Sequence, residues 1–478
     1  MRLESPQVQL GVLFAYGVLL VALVEFLTPC AETLLDRARL RVFVGTWREQ
    51  LVVSVSGLLG ILAANFFGPR VMLLLGSATG TLHSLAIVVA AHGHLGGYRF
   101  LLAAQVMDRI GHTMTRVCLV TMALTYPCER KKARVLALFQ FVLVMFTTLG
   151  EVLRQNHNAR RTGNRDAAEG AAWARLAVTG LAALCAVGVT PIGAVVRDTG
   201  VFVLARESHC LKREFCKTAK VFANRYMLLL VPYMFAFPFA LGIMGISFPN
   251  RQSIILYNIG SLLALVLAFV LDIGSRWRRR RGQLGFALVT CVTAVCMVIM
   301  SVLTTRNVDE QQLPGLVMRP GSPVNVYRLQ HYRQLFYVTV FFNGMSISCV
   351  FLFAGWVIGS LTNDVQYTAR FTGALLAFPA LGTLASILCV GPDDDRVEVP
   401  PNSPLYVGIA LLAASSCSMY YVVHSISDTN DWSLAAMKGW PRSSPATMPR
   451  SENCVVAFRH DDAASEHNSI AKLPLPAN

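Results

Sequence analysis

Charge is scarce in this 478-residue chain. Asp, Glu, Lys and Arg together make up 14% of it, against about a quarter in a soluble domain. Hydrophobic residues make up 54%, and the mean hydropathy is +0.51. That balance excludes a soluble globular protein. No Cys-x-x-Cys pair occurs among the twelve cysteines, seven of which sit inside apolar runs (Cys118, Cys185, Cys291, Cys296, Cys349, Cys389, Cys417). They read as small buried hydrophobes, and no metal-ligand spacing appears. No Asn-x-Ser/Thr sequon marks a lumenal loop. HExxH, GxSxG and a Walker lysine in a glycine-rich loop are all missing. The expectation is therefore no enzyme, no cofactor and no resident metal.

What is present is length in apolar runs. About 20 residues cross the hydrocarbon core as helix. Twelve runs qualify, near 8–29, 50–67, 71–91, 98–122, 134–153, 172–192, 226–246, 252–273, 283–304, 334–360, 367–390 and 404–424. The first is too long for a cleaved signal peptide and lacks a small-residue cleavage site. The fold class this predicts is an all-α, multi-pass membrane protein of twelve transmembrane helices. A long basic stretch, 193–225 (Arg206, Lys212, Arg213, Lys217, Lys220, Arg225), follows the sixth run. It divides the chain into six-helix halves, 1–192 and 226–424, joined by a cytoplasmic linker. Residues 425–478, rich in Ser, Asp, Asn and Pro, read as a disordered cytosolic tail.

The formal net charge is +15. In a membrane protein such an excess sets topology rather than binding nucleic acid. The two densest clusters, ERKKAR (129–134) and RWRRRRG (276–282), fall on the same side when the N-terminus is placed inside. Both termini are therefore expected in the cytoplasm.

The halves echo each other. Asn65-Phe-Phe-Gly68-Pro-Arg70 follows the second run, and Asp272-Ile-Gly274-Ser-Arg276 follows the eighth. LTYPCERKKAR (124–134) follows the fourth, and LTNDVQYTAR (361–370) follows the tenth. Internal duplication of this kind is the plan of many secondary transporters. Short turns favour Gly, and an Arg there can bind carbonyls at a helix C-terminus or a carboxylate on the other half. Gly68, Arg70, Asp272, Gly274 and Arg276 are thus candidates for a cytoplasmic gate. The plainer reading of Arg70 or Arg276 is a cation that only obeys the inside bias.

One apolar run is interrupted: MDRIGHTMTR (107–116) lies within the fourth. On a helix, Gln105, Asp108, Arg109, His112 and Arg116 fall in one arc of about 100°. Three charges at mid-bilayer cost about 9 kcal/mol on insertion scales. The eight Leu, Ile and Val of 101–124 return about 4 kcal/mol. This stripe must face protein or water. Asp108 and His112, four apart, are able to meet. Arg109 and Arg116 exceed the local carboxylate, and Glu25 and Glu151 are candidate partners. Either the stripe binds a solute and relays protons, or it is a buried ion-pair network tying helices together.

Three stretches together resemble the uncoordinated-ninety-three-like (UNC-ninety-three-like) branch of the major facilitator superfamily, in its fungal form. They are Gly68-Pro69-Arg70, Tyr126-Pro127-Cys-Glu129, and Trp356-Val-Ile-Gly359-Ser-Leu-Thr362-Asn363-Asp364. The resemblance covers roughly 8–424 and implies the two-lobed, twelve-helix facilitator fold. In that fold the first, fourth, seventh and tenth spans line the central cavity. The resemblance also implies either a transporter or a regulator that holds other membrane proteins. The chain departs from its relatives in two places: it has no glycine-rich stretch after the first run, and its RIGHTMTR replaces uncharged sequence.

The leading expectation is a secondary transporter of a small anionic or zwitterionic solute, working in the lipid bilayer by alternating access. Arg109, Arg116 and Gln105 would bind the solute. Glu25, Asp108, His112 and Glu151 would couple protons or ions. Trp356, Gly359, Asn363 and Asp364 carry the family motif. The alternative is a non-transporting regulator or chaperone of a membrane-protein partner.

Overall fold

The computed structural model describes residues 11–12, 14–22, 47–91, 97–125, 127, 131–160, 211–243, 251–272, 278–311, 333–361, 365–390 and 403–426. They are helical apart from short turns. Helix α1 comprises residues 11–12 and 14–22. It is followed by α2 (Trp47–Ala91), α3 (Gly97–Thr125), α4 (Lys132–Arg160), α5 (Leu211–Phe222) and α6 (Arg225–Ile243). Then come α7 (Arg251–Leu263), α8 (Val266–Asp272), α9 (Arg278–Gln311), α10 (Arg333–Leu361), α11 (Val365–Val390) and α12 (Ser403–His424).

The described residues of eleven of the apolar runs are helical apart from the turn 264–265, and the run 172–192 lies outside the described residues. Also outside them are Glu25, Gly274, Arg276, Asn363, Asp364 and nearly all of the 425–478 tail. Among the described residues, seven helices are long and apolar enough to cross a membrane, or eight if a bent pair is one span. Helix α3 stands apart from these because of its charges, not its length. Its 29 residues reach about 43 Å. Large apolar side chains remain exposed along the long helices, among them Leu59, Leu138, Leu149, Leu228 and Val298. Bilayer contact accounts for this pattern, and the chain is an integral, multi-pass membrane protein.

Two predicted spans are joined into α2, which bends at Gly68 (φ 77°, ψ 171°). That backbone conformation is open only to glycine. Pro69 follows, and its fixed φ suits the first turn of a new helix. The eighth span is two pieces, α7 and α8, joined by the turn Ala264–Leu265. Helix α3 packs against both arms of α2, α11 packs between α2 and α6, α10 packs on α7, and α4 meets α7 and α8. One apolar core runs through both halves, from Val21 and Leu119 to Phe353 and Val422.

The stretch read as a linker holds the helix α5. Glu214, Thr218 and Val221 form its buried face, spaced four and three residues apart as one side of a helix requires. Residues Glu214–Phe222 meet the span Arg225–Leu241 at 73°.

Candidate functional site

The register of two close helix crossings builds the site. A Cβ on Gly76 would meet Thr115 Oγ1 at 2.0 Å, and one on Gly111 would meet Thr79 Oγ1 at 2.0 Å. Only glycine lets the second arm of α2 and the middle of α3 touch this closely. The helices are antiparallel here, with 76 beside 115 and 79 beside 111. One turn further the same register sets His83 against Asp108. His83 Nδ1 lies 3.1 Å from Asp108 Oδ2. With Nδ1 protonated, the ring donates to the carboxylate.

The first arm of α2 runs parallel to α3. Gly60 sits against Val117, and near the start of the arm Glu49 reaches Arg109, with Oε1 3.0 Å from Nε. Both side chains are largely buried, at 9% and 12% exposure. The low-dielectric surroundings strengthen this attraction, and each ion offsets the other's desolvation.

The predicted stripe on α3 is therefore real as a buried face. Gln105, Asp108 and His112 are buried, and Arg109 and Arg116 are half-buried. Its pairing differs from the sequence expectation. Asp108 bonds His83 from a neighbouring helix, where the sequence offered His112. Arg109 is met by Glu49, where the sequence offered Glu25 and Glu151. Glu151 lies on α4, with its side chain outside the described residues. The sequence does not single out Glu49 or His83: Glu49 precedes the second run, and His83 is one histidine in an apolar segment. Gln105 Oε1, Asp108 Oδ1 and His83 Nε2 are buried with no hydrogen-bond partner among the described residues. Polar atoms in such positions normally have one.

A second cluster joins the halves at the Gly68 end of the bundle. Asp272, fully buried at the end of α8, accepts from the backbone N–H groups of Ala133 (3.3 Å) and Arg134 (2.9 Å) at the start of α4. Arg134 Nε lies 3.7 Å from the same carboxylate. This is an N-terminal cap supplied from the opposite half, favoured by the helix dipole. Lys132 Nζ donates to the Gly359 carbonyl at 2.8 Å, which ties α4 to α10. Trp356 is buried beside it, stacked on Phe353. Carbonyl binding at a helix C-terminus falls to Arg281, whose Nη1 donates to the Leu271 carbonyl at 2.8 Å. Arg70 is on α2, with its side chain outside the described residues.

Three further residues meet at this end. Arg370 on α11 is 1% exposed. Its guanidinium bonds Glu214 Oε1 on α5 through Nε (3.1 Å) and through Nη2. Asn65 Nδ2 on α2 donates to that same oxygen at 3.0 Å.

Comparison with solved structures finds the same fold elsewhere. A crystal structure of the E. coli fucose:proton symporter superposes with a TM-score of 0.52 at 12% identity, over 87% of this chain and 98% of the symporter. An outward-conformation structure of the same transporter gives 0.53 at 11% identity, over 88% and 100%. The chain thus has the major facilitator fold. No family model matches it. Two curated Arabidopsis thaliana proteins, UNC93-like protein 1 and UNC93-like protein 2, are each 22% identical over 371 residues, or 76% of this chain and 78% of theirs. The chain is thus similar in sequence to UNC93-like proteins and shares its fold with major facilitator transporters. These two relatives are plant proteins, and the fungal form rests on the sequence motifs alone.

Proposed function

We propose that the protein is a secondary transporter that moves a small anionic or zwitterionic solute by alternating access, coupled to protons. The observation that carries this reading is the polar face of α3, buried in a fold used by secondary transporters. Arg109, Arg116 and Gln105 take the solute. A carboxylate on the solute competes with Glu49 for Arg109. Asp108, bonded to His83 and one turn from His112, holds or releases the proton, with Glu25 and Glu151 as further coupling groups. The unpartnered oxygens of Gln105 and Asp108 offer acceptors to an ammonium or hydroxyl. The Gly68 end is the cytoplasmic side, because the described parts of both dense Arg/Lys clusters, 131–134 and 278–281, lie there. Asp272, Gly68, Arg70, Gly274 and Arg276 shape the gate on that side.

The test is reconstitution of the purified protein in liposomes under an imposed proton gradient. Carboxylates, phosphates and amino acids are then screened for uptake. Uptake that collapses with the gradient, and in Asp108→Asn, supports the reading. Absence of uptake for every solute under proton and sodium gradients, with tight binding to another membrane protein, overturns it.

The second reading, a non-transporting regulator of a membrane-protein partner, has its own support. Glu49–Arg109 and His83–Asp108 satisfy each other's charge without a solute and tie α2 to α3. It predicts that Arg116→Ala leaves the effect on the partner intact, measured by co-purification.

A further inference from the structure

The echo between the halves makes a specific demand on the Gly68 end. Asn65 precedes the turn after the second span, as Asp272 precedes the turn after the eighth. Arg134 opens the fifth span, as Arg370 opens the eleventh. In the α8–α4 pair the carboxylate is on the span end: Asp272 faces Arg134 and its helix start. In the α2–α11 pair the matching span end carries the uncharged Asn65. Arg370 is nevertheless buried on that side, and a buried guanidinium without a counter-charge costs several kcal/mol.

We infer that Glu214 of the linker helix α5 is the missing carboxylate of a second cross-half latch, completing through Asn65 what Asp272 does alone in the first. Oxygen Oε1 of Glu214 is the shared atom. It takes Arg370 Nε at 3.1 Å and Asn65 Nδ2 at 3.0 Å. The Tyr367 ring covers the guanidinium at 5.1 Å, which shields the site from water. The two bonds have different roles. Helix α5 touches both α2 and α11, but Glu214 makes a two-bond charge pair with Arg370 and a single bond with Asn65, so Glu214 stays with Arg370 on the C-terminal half. Asn65 belongs to the other half, and its bond is the one that breaks when this end opens. The linker helix is then a positioning element of the gate: its carboxylate sets how tightly α2 is held to α11. This rests on the alternating-access reading above, but its test needs no transported solute.

The experiment reads the separation of the halves directly. Spin labels go on Phe67→Cys in α2 and Tyr421→Cys in α12, both exposed and outside the cluster, with accessible native cysteines replaced by serine. Electron–electron distance distributions are then recorded in lipid nanodiscs. The parent gives mainly the short distance. Asn65→Leu removes one charge-assisted hydrogen bond, and the ratio of long to short distance rises by about tenfold, with the melting temperature of the isolated protein little changed. Glu214→Gln raises the ratio and also lowers the melting temperature, because Arg370 is left without its counter-ion. Asn65→Asp in the Glu214→Gln background restores both, since the carboxylate now sits where Asp272 sits in the other half.

If Asn65→Leu leaves the distances unchanged, or Asn65→Asp fails to rescue Glu214→Gln, the latch is wrong. Should Glu214→Gln not fold alone, the Asn65→Leu shift and the folding of the double variant decide. A distance shift without solute uptake by the parent retains the latch and removes the transporter. Uptake without a shift does the opposite.

Discussion

His83 Nδ1 and Asp108 Oδ2 lie 3.1 Å apart, across a crossing that Gly76 and Gly111 make close enough for the bond. His83→Ala strands a carboxylate that is 1% exposed. The expected cost is about 1–3 kcal/mol, read as a fall in melting temperature in detergent. In His83→Ala/Asp108→Asn the buried charge is gone as well, so the double variant costs less than the sum of the two single ones. Strict additivity would show that the two side chains do not interact.

The stripe that contains Asp108 was legible from residues alone, because a 3.6-residue period puts its five polar groups on one face and insertion energetics forbids lipid there. Its partners were not. Glu49 and His83 are brought in by helix register, which depends on where Thr79 and Thr115 find a glycine opposite. A single chain read by periodicity carries no such information. The apolar runs and Asp272 as a contact residue were also legible, since length and internal echo point to them directly. Glu214 was hidden by composition: the basic 193–225 stretch reads as solvated linker, and only packing shows that α5 turns one carboxylate inward.

The Glu49–Arg109 bond separates the two functional readings. Glu49→Gln or Arg109→Gln alone leaves an uncompensated buried charge and destabilises the fold by about 3–5 kcal/mol. Glu49→Gln/Arg109→Gln removes both charges and regains much of that loss. If the double variant is stable and still moves solute, Arg109 serves structure only. If it is stable and inactive, Arg109 serves the solute.

Helix contact at the crossing has its own suppressor. Gly111→Ala places a methyl against Thr79 Oγ1 at 2.0 Å, which forces the helices apart at a cost of about 1–3 kcal/mol. Thr79→Ala removes the obstructing hydroxyl, so Gly111→Ala/Thr79→Ala melts higher than Gly111→Ala. The His83–Asp108 bond loosens with the crossing, and Gly111→Ala should also weaken proton dependence in the liposome assay. Equal melting of the single and double variants would place the strain elsewhere.

Asp272 holds the halves through two kinds of contact, and substitution tells them apart. Its carboxylate caps the start of α4 and faces Arg134, whose side chain is 48% exposed. A half-exposed ion pair contributes little, about 0–1 kcal/mol, whereas a lost N-terminal cap costs about 0.5–2 kcal/mol. Asn caps a helix as well as Asp does. Asp272→Asn should therefore keep the Gly68 end nearly as closed as the parent, while Asp272→Ala opens it. Maleimide labelling of a cysteine at Ala137, buried on α4 one turn beyond Arg134, reads the difference: faster in Asp272→Ala, unchanged in Asp272→Asn. Equal acceleration in both would make the charge of Asp272, rather than its backbone hydrogen bonds, the force that holds α8 to α4.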